Sequence, residues 1–303
     1  MNSVSIIIQG AVHRDQAEIL KKFRVAFPQS QIIVSTWKSD IALAELADEY
    51  VISEDPGPFT LYRDGRALRS ENINRQIVST RAGLARANND WTLKWRSDFD
   101  FDPQKLRSAL NKHMSRGVDD ALLVLGYNTA NPFADMKLIG HLSDWMYFCR
   151  TDLMRALVRS HLIPSVEEHN EVPLSRDLNI GFPFASYSCE QLMIYEGLRS
   201  CYGIPMASYS DTNSLKPFLS LLGRKIFIEQ PASLGVRTKK EYDAFIYPKV
   251  ANIQAYVWFV LATINRYECA INHSFGCVIL SAWLQTKAWV LLAMRRSKRL
   301  LHK

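Results

Sequence analysis

The sequence predicts an α/β fold in which a mostly parallel β-sheet is flanked by helices. Short apolar runs of strand length alternate with segments whose apolar residues recur every three or four positions, which is the spacing of an amphipathic helix. The first run, SVSIIIQ, is almost entirely apolar, as expected for a central parallel strand that is buried on both faces. The chain has 303 residues, 48% of them hydrophobic, which is enough for one large domain of this class.

The first half of the chain supplies the elements of such a sheet in order. Residues 3–9 form the first strand, and residues 15–27 have apolar side chains spaced to cover the sheet as a helix. A second strand is predicted over 31–35, a short helix over 40–47 and a third strand over 50–53, before the turn-forming sequence EDPGP. Strands that alternate with helices in this way imply parallel pairing with right-handed connections.

Polar side chains stand at the ends of these strands, where open α/β sheets bind their ligands. The sequence lacks a GxGxxG fingerprint after the first strand and has no GxxxxGK[ST] loop, so a nucleotide would be held by strand-end side chains. Turn chemistry accounts equally well for the aspartate in EDPGP. The predicted nucleotide-binding residues at the strand ends are Gln9, Gly10, Thr36 and Asp55.

The segment 72–103 contains the candidate metal site. Its first part has a helical apolar stripe, and residues 91–97 follow as a strand that ends in the triplet DFD. In this triplet, Asp98 and Asp100 place two carboxylates on one side of an extended or tightly turned segment. Such hard oxygen ligands suit Mg²⁺ or Mn²⁺ shared with a substrate diphosphate.

The basic and acidic residues around this triplet have separate interpretations. Asp102 directly precedes a proline and a helical pattern, which is typical of an N-cap, so we exclude it from the metal pair. Arg75, Arg81 and Arg96 are candidates for holding a diphosphate. Lys94 and Arg96 belong to a central strand, where a buried cation is costly unless it is paired. A structural ion pair with a nearby aspartate is therefore the alternative for both.

The second half of the chain contributes further candidates. An apolar strand is predicted over 121–126, and the sequence HLSDW that follows later contains a possible site with His141 and Asp144. A lone histidine is more often structural than catalytic. Glu190 lies in the first turn of a predicted helix, after a long irregular segment, and its carboxylate is a candidate catalytic group. The helix dipole would stabilise an acid there in any protein, so a structural role explains it as well.

The end of the chain is predicted to be a separate helical segment. We expect an α/β domain over residues 1–250 and helices over 251–303 that end in the basic sequence RRSKRLLHK. The net charge is +7, and this basic end is a candidate for contact with anionic lipids, with a solvated tail as the alternative. No RNP-like motif, zinc-finger spacing or helix-turn-helix signature occurs, so nucleic acid is not an expected partner.

Cysteine usage and hydropathy indicate the compartment. The five cysteines are odd in number and lack CxxC spacing, which is typical of free thiols in a reducing cytosol. The first residues, MNSVSIII, lack the basic region and long apolar core of a signal peptide, and no apolar stretch is a good spanning helix. We therefore expect a cytoplasmic location, with the cytoplasmic face of the inner membrane as the site of any lipid contact.

Several short segments together resemble a known family. They are SIIIQG, FPQSQIIVSTW, EDPG, NINRQIVST and LKWRSD in the first hundred residues, followed by HLSDW and CEQ. This combination resembles the WavE-type family of lipopolysaccharide synthesis proteins. More broadly, the succession of helix, strand and DxD is similar to the GT-A glycosyltransferase fold, a Rossmann-type α/β fold that binds a nucleotide-sugar across its strand ends.

The resemblance implies a function and roles for the site residues. It implies a glycosyltransferase that moves a sugar from a nucleotide-sugar to a hydroxyl of a bacterial surface glycan, such as lipopolysaccharide core, O-antigen or capsule. In such families Mn²⁺ or Mg²⁺ bridges the DxD residues, here Asp98 and Asp100, to the diphosphate. An acid in the acceptor half often serves as the base. Glu190 matches that role by its position along the chain, with Asp144 as the alternative.

Two other functions are open from the sequence. A sugar-phosphate nucleotidyltransferase uses a related sheet and an acidic metal pair, but it usually carries a Gly-rich basic loop after the first strand, and GAVHRDQ is a poor version of one. A non-catalytic scaffold of a glycan assembly complex would use the basic C-terminal helices and would depend on neither aspartate. The donor sugar, its nucleotide, the acceptor and the oligomeric state are not specified by these motifs.

Overall fold

The computed structural model of the protein describes most of the first 238 residues. The described residues are 4–12, 16–37, 45–126, 129, 139–163, 165–167, 172–173, 181–182, 189–205, 212–229 and 231–238. The predicted C-terminal helices over 251–303, with the basic end, lie outside the described residues, as does most of the predicted helix over 40–47.

The elements follow one another in α/β fashion. The first half of the chain contains β1 (Val4–Gln9), α1 (Gln16–Ala26), β2 (Gln31–Thr36), β3 (Glu49–Ile52), β4 (Phe59–Arg63), β5 (Arg66–Glu71), α2 (Ile73–Arg86), β6 (Trp91–Arg96), β7 (Phe99–Asp100) and α3 (Pro103–Met114). The second half contains β8 (Leu122–Leu125), β9 (Met146–Arg150), α4 (Thr151–Leu157), β10 (Val166–Glu167), β11 (Val172–Pro173), β12 (Gly181–Phe182), α5 (Cys189–Tyr202), α6 (Thr212–Leu221), β13 (Ile226–Glu229), α7 (Pro231–Leu234) and β14 (Arg237–Thr238).

Seven strands form one mixed sheet, in the order β13-β8-β9-β6-β1-β2-β3. β1 pairs in parallel with both β2 and β6, β2 pairs in parallel with β3, and β8 pairs in parallel with β13. β9 alone runs antiparallel, between β6 and β8. The predicted fold class, a mostly parallel sheet flanked by helices, is confirmed.

Each face of the sheet carries its own hydrophobic core. One core packs residues of α2, α4 and α5 against Ile7 and Ile33. The other packs residues of α1 and α3 against Ile6 and Ile8. The alternating side chains of β1 thus enter both cores, which is why its sequence is a continuous apolar run.

The helix α2 sits close to the sheet and positions the arginine of its first turn. A Cβ atom on Gly83 would lie 2.5 Å from Cγ2 of Ile7, so the glycine allows the helix to approach β1. α2 leads into the start of β6, so its last turn lies near the amino ends of the parallel strands. Its first turn, with Arg75, therefore stands at their carboxyl ends.

Two local features complete the frame of the site. Asp102 Oδ1 accepts hydrogen bonds from the N–H groups of Gln104 and Lys105, each at 3.0 Å, so its predicted role as the N-cap of α3 is confirmed. β4 and β5 form a hairpin before α2. Within the part of the chain that the structure describes, no helix is long and apolar enough to cross a membrane.

Candidate active site

The carboxyl ends of β1, β2 and β6 lie side by side at one edge of the sheet. Gln9, the last residue of β1, is in register with Ser35 of β2 and with Arg96 of β6. Gln9 and Thr36 are both buried at this edge. The structure therefore brings the predicted strand-end residues together.

Gly10 allows the ends of β1 and β6 to approach each other. Its φ is +133°, and a Cβ atom there would lie 2.6 Å from Oγ of Ser97. The Gly10 N–H donates to the carbonyl of Ser35 at 3.2 Å, and the Ser97 N–H donates to the carbonyl of Gln9 at 2.9 Å. Only glycine combines this backbone conformation with so close a neighbour.

The side-chain amide of Gln9 is hydrogen-bonded through its nitrogen but not through its oxygen, within the described part of the chain. Its Nε2 donates to Oγ of Ser79, on α2, at 3.0 Å. Its Oε1 is buried and has no hydrogen-bond partner among the described residues. This oxygen can accept a hydrogen bond from a ligand at the end of β1.

Asp55 and Arg75 form one charged group at the β2 side of the edge. Nε and Nη2 of Arg75 donate to Oδ1 and Oδ2 of Asp55 at 2.7 and 2.8 Å. This hydrogen-bonded contact raises the pKa of Arg75, so the guanidinium is fully charged. Arg75 also lies 5.7 Å from the ring centroid of Trp37, directly after β2. Arg81 is exposed and lies about 9 Å further along α2, so it is not part of this group.

Arg96 joins two carboxylates at the end of β6. Its Nε and Nη2 donate to Oδ1 and Oδ2 of Asp98 at 3.0 and 2.9 Å, and its Nη1 donates to Oδ2 of Asp144 at 3.2 Å. The guanidinium also lies 5.1 Å from the ring centroid of Phe99 and 5.7 Å from that of Trp145. Asp144 is only 1% exposed, so Arg96 makes the buried ion pair that the sequence left open as its alternative role.

Asp100 has a different basic partner. Its Oδ1 accepts from Nζ of Lys22, on α1, at 2.5 Å and from the N–H of Phe101 at 2.8 Å. No sequence signal marks Lys22, because a lysine on an amphipathic helix is ordinary until the position of the helix is known. The two carboxylates of the DxD triplet are therefore held by cations on different elements, β6 and α1.

A divalent ion fits Asp98 and Asp100 by ligand type, since carboxylates are the ligands that Mg²⁺ and Mn²⁺ prefer. An ion bound by both would have to replace the bonds to Arg96 and Lys22. Among the described residues, no three His, Cys, Asp or Glu side chains are grouped as metal ligands. The metal pair stays a prediction.

Lys94 lies fully buried next to Asp144. Its ammonium group donates a hydrogen bond to the backbone carbonyl of Asp144 and lies 5.4 Å from the ring centroid of Tyr147. Burial lowers the pKa of Lys94 to about 8, and the negative charge of Asp144 is the largest effect that opposes this shift. At neutral pH the lysine is therefore still mostly charged, and it stabilises the turn that carries Asp144.

His141 and Glu190 meet at the start of α5. Nε2 of His141 lies 3.7 Å from Oε2 of Glu190, and both side chains are largely buried. The next residue, Gln191, donates from Nε2 to the carbonyl of Ile139 at 2.9 Å. These contacts hold residues 139–141 against the first turn of α5. They bring Glu190 to the segment HLSDW, which carries His141 and Asp144 and which the sequence placed apart from Glu190.

The sequence from residue 4 to residue 285 matches the family described as WavE lipopolysaccharide synthesis. The chain belongs to this family. The resemblance read from the short segments of the first hundred residues is thus confirmed, and it extends over nearly the whole chain. Among curated proteins, none matches this WavE-family chain significantly.

Two solved structures resemble this WavE-family protein at low similarity. The crystal structure of TarS from S. aureus has 12% sequence identity and a TM-score of 0.39, and the match covers 91% of this chain and 45% of TarS. A mannose-1-phosphate geranyltransferase from Thermus thermophilus has 13% identity and a TM-score of 0.35, with 76% of this chain and 74% of that chain covered. This chain thus spans less than half the length of TarS.

Proposed function

We propose that this WavE-family protein is a glycosyltransferase that moves a sugar from a nucleotide-sugar donor to a hydroxyl group of a bacterial surface glycan. The observation that carries the proposal is the grouping of charged side chains at the carboxyl edge of the sheet, in a member of a lipopolysaccharide synthesis family. Open α/β sheets bind their ligands at this edge.

The donor is assigned to the ends of β1, β2 and β6. The nucleoside would lie near Gln9, Thr36 and Asp55, where Oε1 of Gln9, which has no hydrogen-bond partner among the described residues, would accept a hydrogen bond. Arg75 and Arg96 stand on either side of the end of β1 and would hold the diphosphate. Positive charge there stabilises the negative charge that develops on the departing nucleoside diphosphate.

Glu190 is assigned as the general base. It removes the proton of the acceptor hydroxyl while the hydroxyl oxygen attacks the anomeric carbon of the donor sugar. The bond between that carbon and the diphosphate breaks, and the nucleoside diphosphate leaves with the electron pair. Asp144 is the alternative base, with one oxygen of its carboxylate hydrogen-bonded to Arg96. Glu190 is preferred for its position in the acceptor half of the chain.

A divalent metal and a membrane contact are further proposals. Asp98 and Asp100 would hold Mn²⁺ or Mg²⁺, which when bound would neutralise charge on the diphosphate. A cytoplasmic location supplies the nucleotide-sugar, and the basic sequence RRSKRLLHK supports a contact with anionic lipids of the inner membrane.

Ligand-induced thermal stabilisation tests the proposal. The purified protein is screened against UDP, GDP, CDP and CMP with and without Mn²⁺, and we expect one nucleotide to raise the melting temperature by mass action. Arg75→Ala should lose this shift. Arg86→Ala is the matched control, because Arg86 lies at the other end of α2 and is 64% exposed. If no nucleotide shifts the wild-type protein, the transferase proposal is wrong.

A further inference from the structure

A buried polar cluster lies beneath the carboxyl edge of the sheet, on the side covered by α5. Lys94 is in register with Tyr147, and Tyr147 packs with α5 residues in the core on that face. The backbone carbonyl of Asp144 accepts from the ammonium group of Lys94, and the negative charges of Asp144, Asp98 and Glu190 each raise the pKa of Lys94. The name Asp144 cluster is used below for five of the residues in this region: Lys94, Arg96, His141, Asp144 and Glu190.

The position of Asp144 is fixed from two directions. Its Oδ2 accepts from Arg96 at 3.2 Å, and its backbone carbonyl accepts from Lys94. A carboxylate held in this way keeps its second oxygen, Oδ1, aimed in one direction. Asp144 is therefore preorganised to accept one more hydrogen bond.

Two buried atoms of the cluster have no hydrogen-bond partner within the described part of the chain. They are Oδ1 of Asp144 and Nδ1 of His141. The two residues are 1% and 4% exposed, so water does not freely reach either side chain. Nearly all buried polar atoms in proteins have a hydrogen-bond partner, and an unpaired one calls for an explanation such as a ligand.

The chemistry of the cluster indicates which ligand would pair these atoms. Lys94 and Arg96 already balance the negative charge of the carboxylates, which argues against a cationic ligand. No three side chains of the described residues are grouped to hold a metal ion. A neutral hydroxyl matches both atoms, because it donates to a carboxylate oxygen and either donates to or accepts from an imidazole nitrogen.

We propose that the Asp144 cluster is the subsite for the donor sugar, in which Oδ1 of Asp144 and Nδ1 of His141 each bind one sugar hydroxyl. This inference rests on the proposed function and makes Asp144 a specificity-determining residue. A site built to hydrogen-bond a particular hydroxyl strongly rejects a sugar that lacks it, because the buried oxygen is then left unpaired. Arg96 links this subsite to the diphosphate position, since it bonds Asp144 directly.

Titration calorimetry tests the subsite by comparing the affinity for nucleotide-sugars with that for the nucleoside diphosphates alone. The wild-type protein and Asp144→Asn are titrated with UDP and GDP, and with UDP-glucose, UDP-N-acetylglucosamine and GDP-mannose. We expect Asp144→Asn to bind the preferred nucleotide-sugar about tenfold more weakly or worse, with its affinity for the nucleoside diphosphate nearly unchanged. Equal weakening of both ligands, or of neither, overturns the inference and leaves the proposed function standing.

A control and a second variant separate binding from folding. Asp90→Asn is the matched control, because Asp90 accepts from Arg150 at 3.3 Å at the opposite end of β6. It should leave both affinities unchanged. His141→Phe keeps a ring of similar shape and removes the second predicted sugar contact, so it should also weaken only the nucleotide-sugar. Thermal unfolding of each variant establishes that it is folded.

Saturation-transfer NMR with free monosaccharides distinguishes this inference from the proposed function. Glucose, N-acetylglucosamine and mannose at millimolar concentration are tested against the wild-type protein and Asp144→Asn. A sugar signal that is lost in the variant supports sugar binding at Asp144 even if no nucleotide binds. In that case the transferase proposal falls, and with it the role of the bound sugar as donor. If neither a nucleotide-sugar nor a free sugar depends on Asp144, the subsite is wrong.

Discussion

Both carboxylate oxygens of Asp98 accept hydrogen bonds from the guanidinium of Arg96, at 3.0 Å from Nε and 2.9 Å from Nη2. The same guanidinium reaches Asp144 in the turn before β9. Arg96 therefore connects the end of β6 to the second half of the chain through its hydrogen bond to Asp144. A metal ion at Asp98 would have to displace Arg96 from this carboxylate, and a diphosphate would have to compete with Asp98 for the guanidinium.

Removal of Arg96 should destabilise the fold strongly. Arg96→Ala would remove the guanidinium that hydrogen-bonds the carboxylates of Asp144, 1% exposed, and Asp98, 16% exposed. Loss of one partner of a buried ion pair costs about 3 kcal/mol of the free energy of unfolding. Urea unfolding measures this loss. Arg150→Ala, which breaks an exposed pair with Asp90, should cost less than about 1 kcal/mol, and equal losses in the two variants would contradict the interpretation.

Lys94 should make stability rise with pH above 8. Its pKa is about 8 in the folded protein and 10.5 when exposed, so between these values the unfolded chain binds more protons than the folded one. The free energy of unfolding then increases by up to about 1.4 kcal/mol per pH unit. Lys94→Met should lack this increase. Urea unfolding from pH 7 to pH 10 compares the two proteins, and parallel profiles would show that Lys94 does not titrate in this window.

Local sequence patterns predicted most of the sheet because they depend on short-range physics. The apolar run before Gly10 predicted β1, and the apolar spacing of 73–87 predicted α2. The order Asp102-Pro103 predicted the N-cap of α3. Each of these signals comes from neighbouring residues alone. The same is true of the polar strand ends, whose convergence follows from parallel pairing.

The contacts that decide the site were not predictable, because they depend on how distant segments pack. Lys22 and Asp100 are 78 residues apart in sequence, and nothing in either segment predicts their contact. A local signal was also missed. Asp64 and Gly65, with φ of 49° and 71°, form the tight turn of the β4–β5 hairpin, and Asp-Gly is a known marker of such turns. The apolar pattern predicts no element there because the hairpin carries many arginines.

Gly10 should resist substitution more than Gly57, which also has a positive φ. Gly10→Ala adds a Cβ atom 2.6 Å from Oγ of Ser97 at a φ of +133°, and we expect a loss of about 3 kcal/mol of stability. Gly57→Ala is the control, because Gly57 has a φ of +74° and open space around it, and it should cost about 1 kcal/mol. Thermal unfolding compares them. Similar losses would mean that the approach of β1 to β6 is not tight.

The predicted metal pair can be tested through the lysine that competes with it. Lys22→Met removes the ammonium bonded to Asp100, so Mn²⁺ binding to Asp98 and Asp100 should tighten by about tenfold. Electron paramagnetic resonance of free Mn²⁺ measures the affinity. Lys21→Met is the control, because Lys21 pairs with Glu18 on the exposed side of α1. Binding that survives in Asp100→Asn would place the ion elsewhere.

Glu190 should be needed for turnover but not for nucleotide binding. Glu190→Gln keeps the shape of the side chain beside His141, 3.7 Å away, and removes its capacity to accept a proton. We expect kcat for sugar transfer to fall by about 10²–10⁴-fold, the usual contribution of a general base, with an unchanged dissociation constant for the nucleotide. Glu196→Gln is the matched control on the same helix, since Glu196 accepts from the N–H of His161 at 3.4 Å and lies about 9 Å further along α5. If both variants retain wild-type turnover, the base is another group. If both lose it equally, the effect comes from α5 as a whole and Glu190 has no specific part in the chemistry.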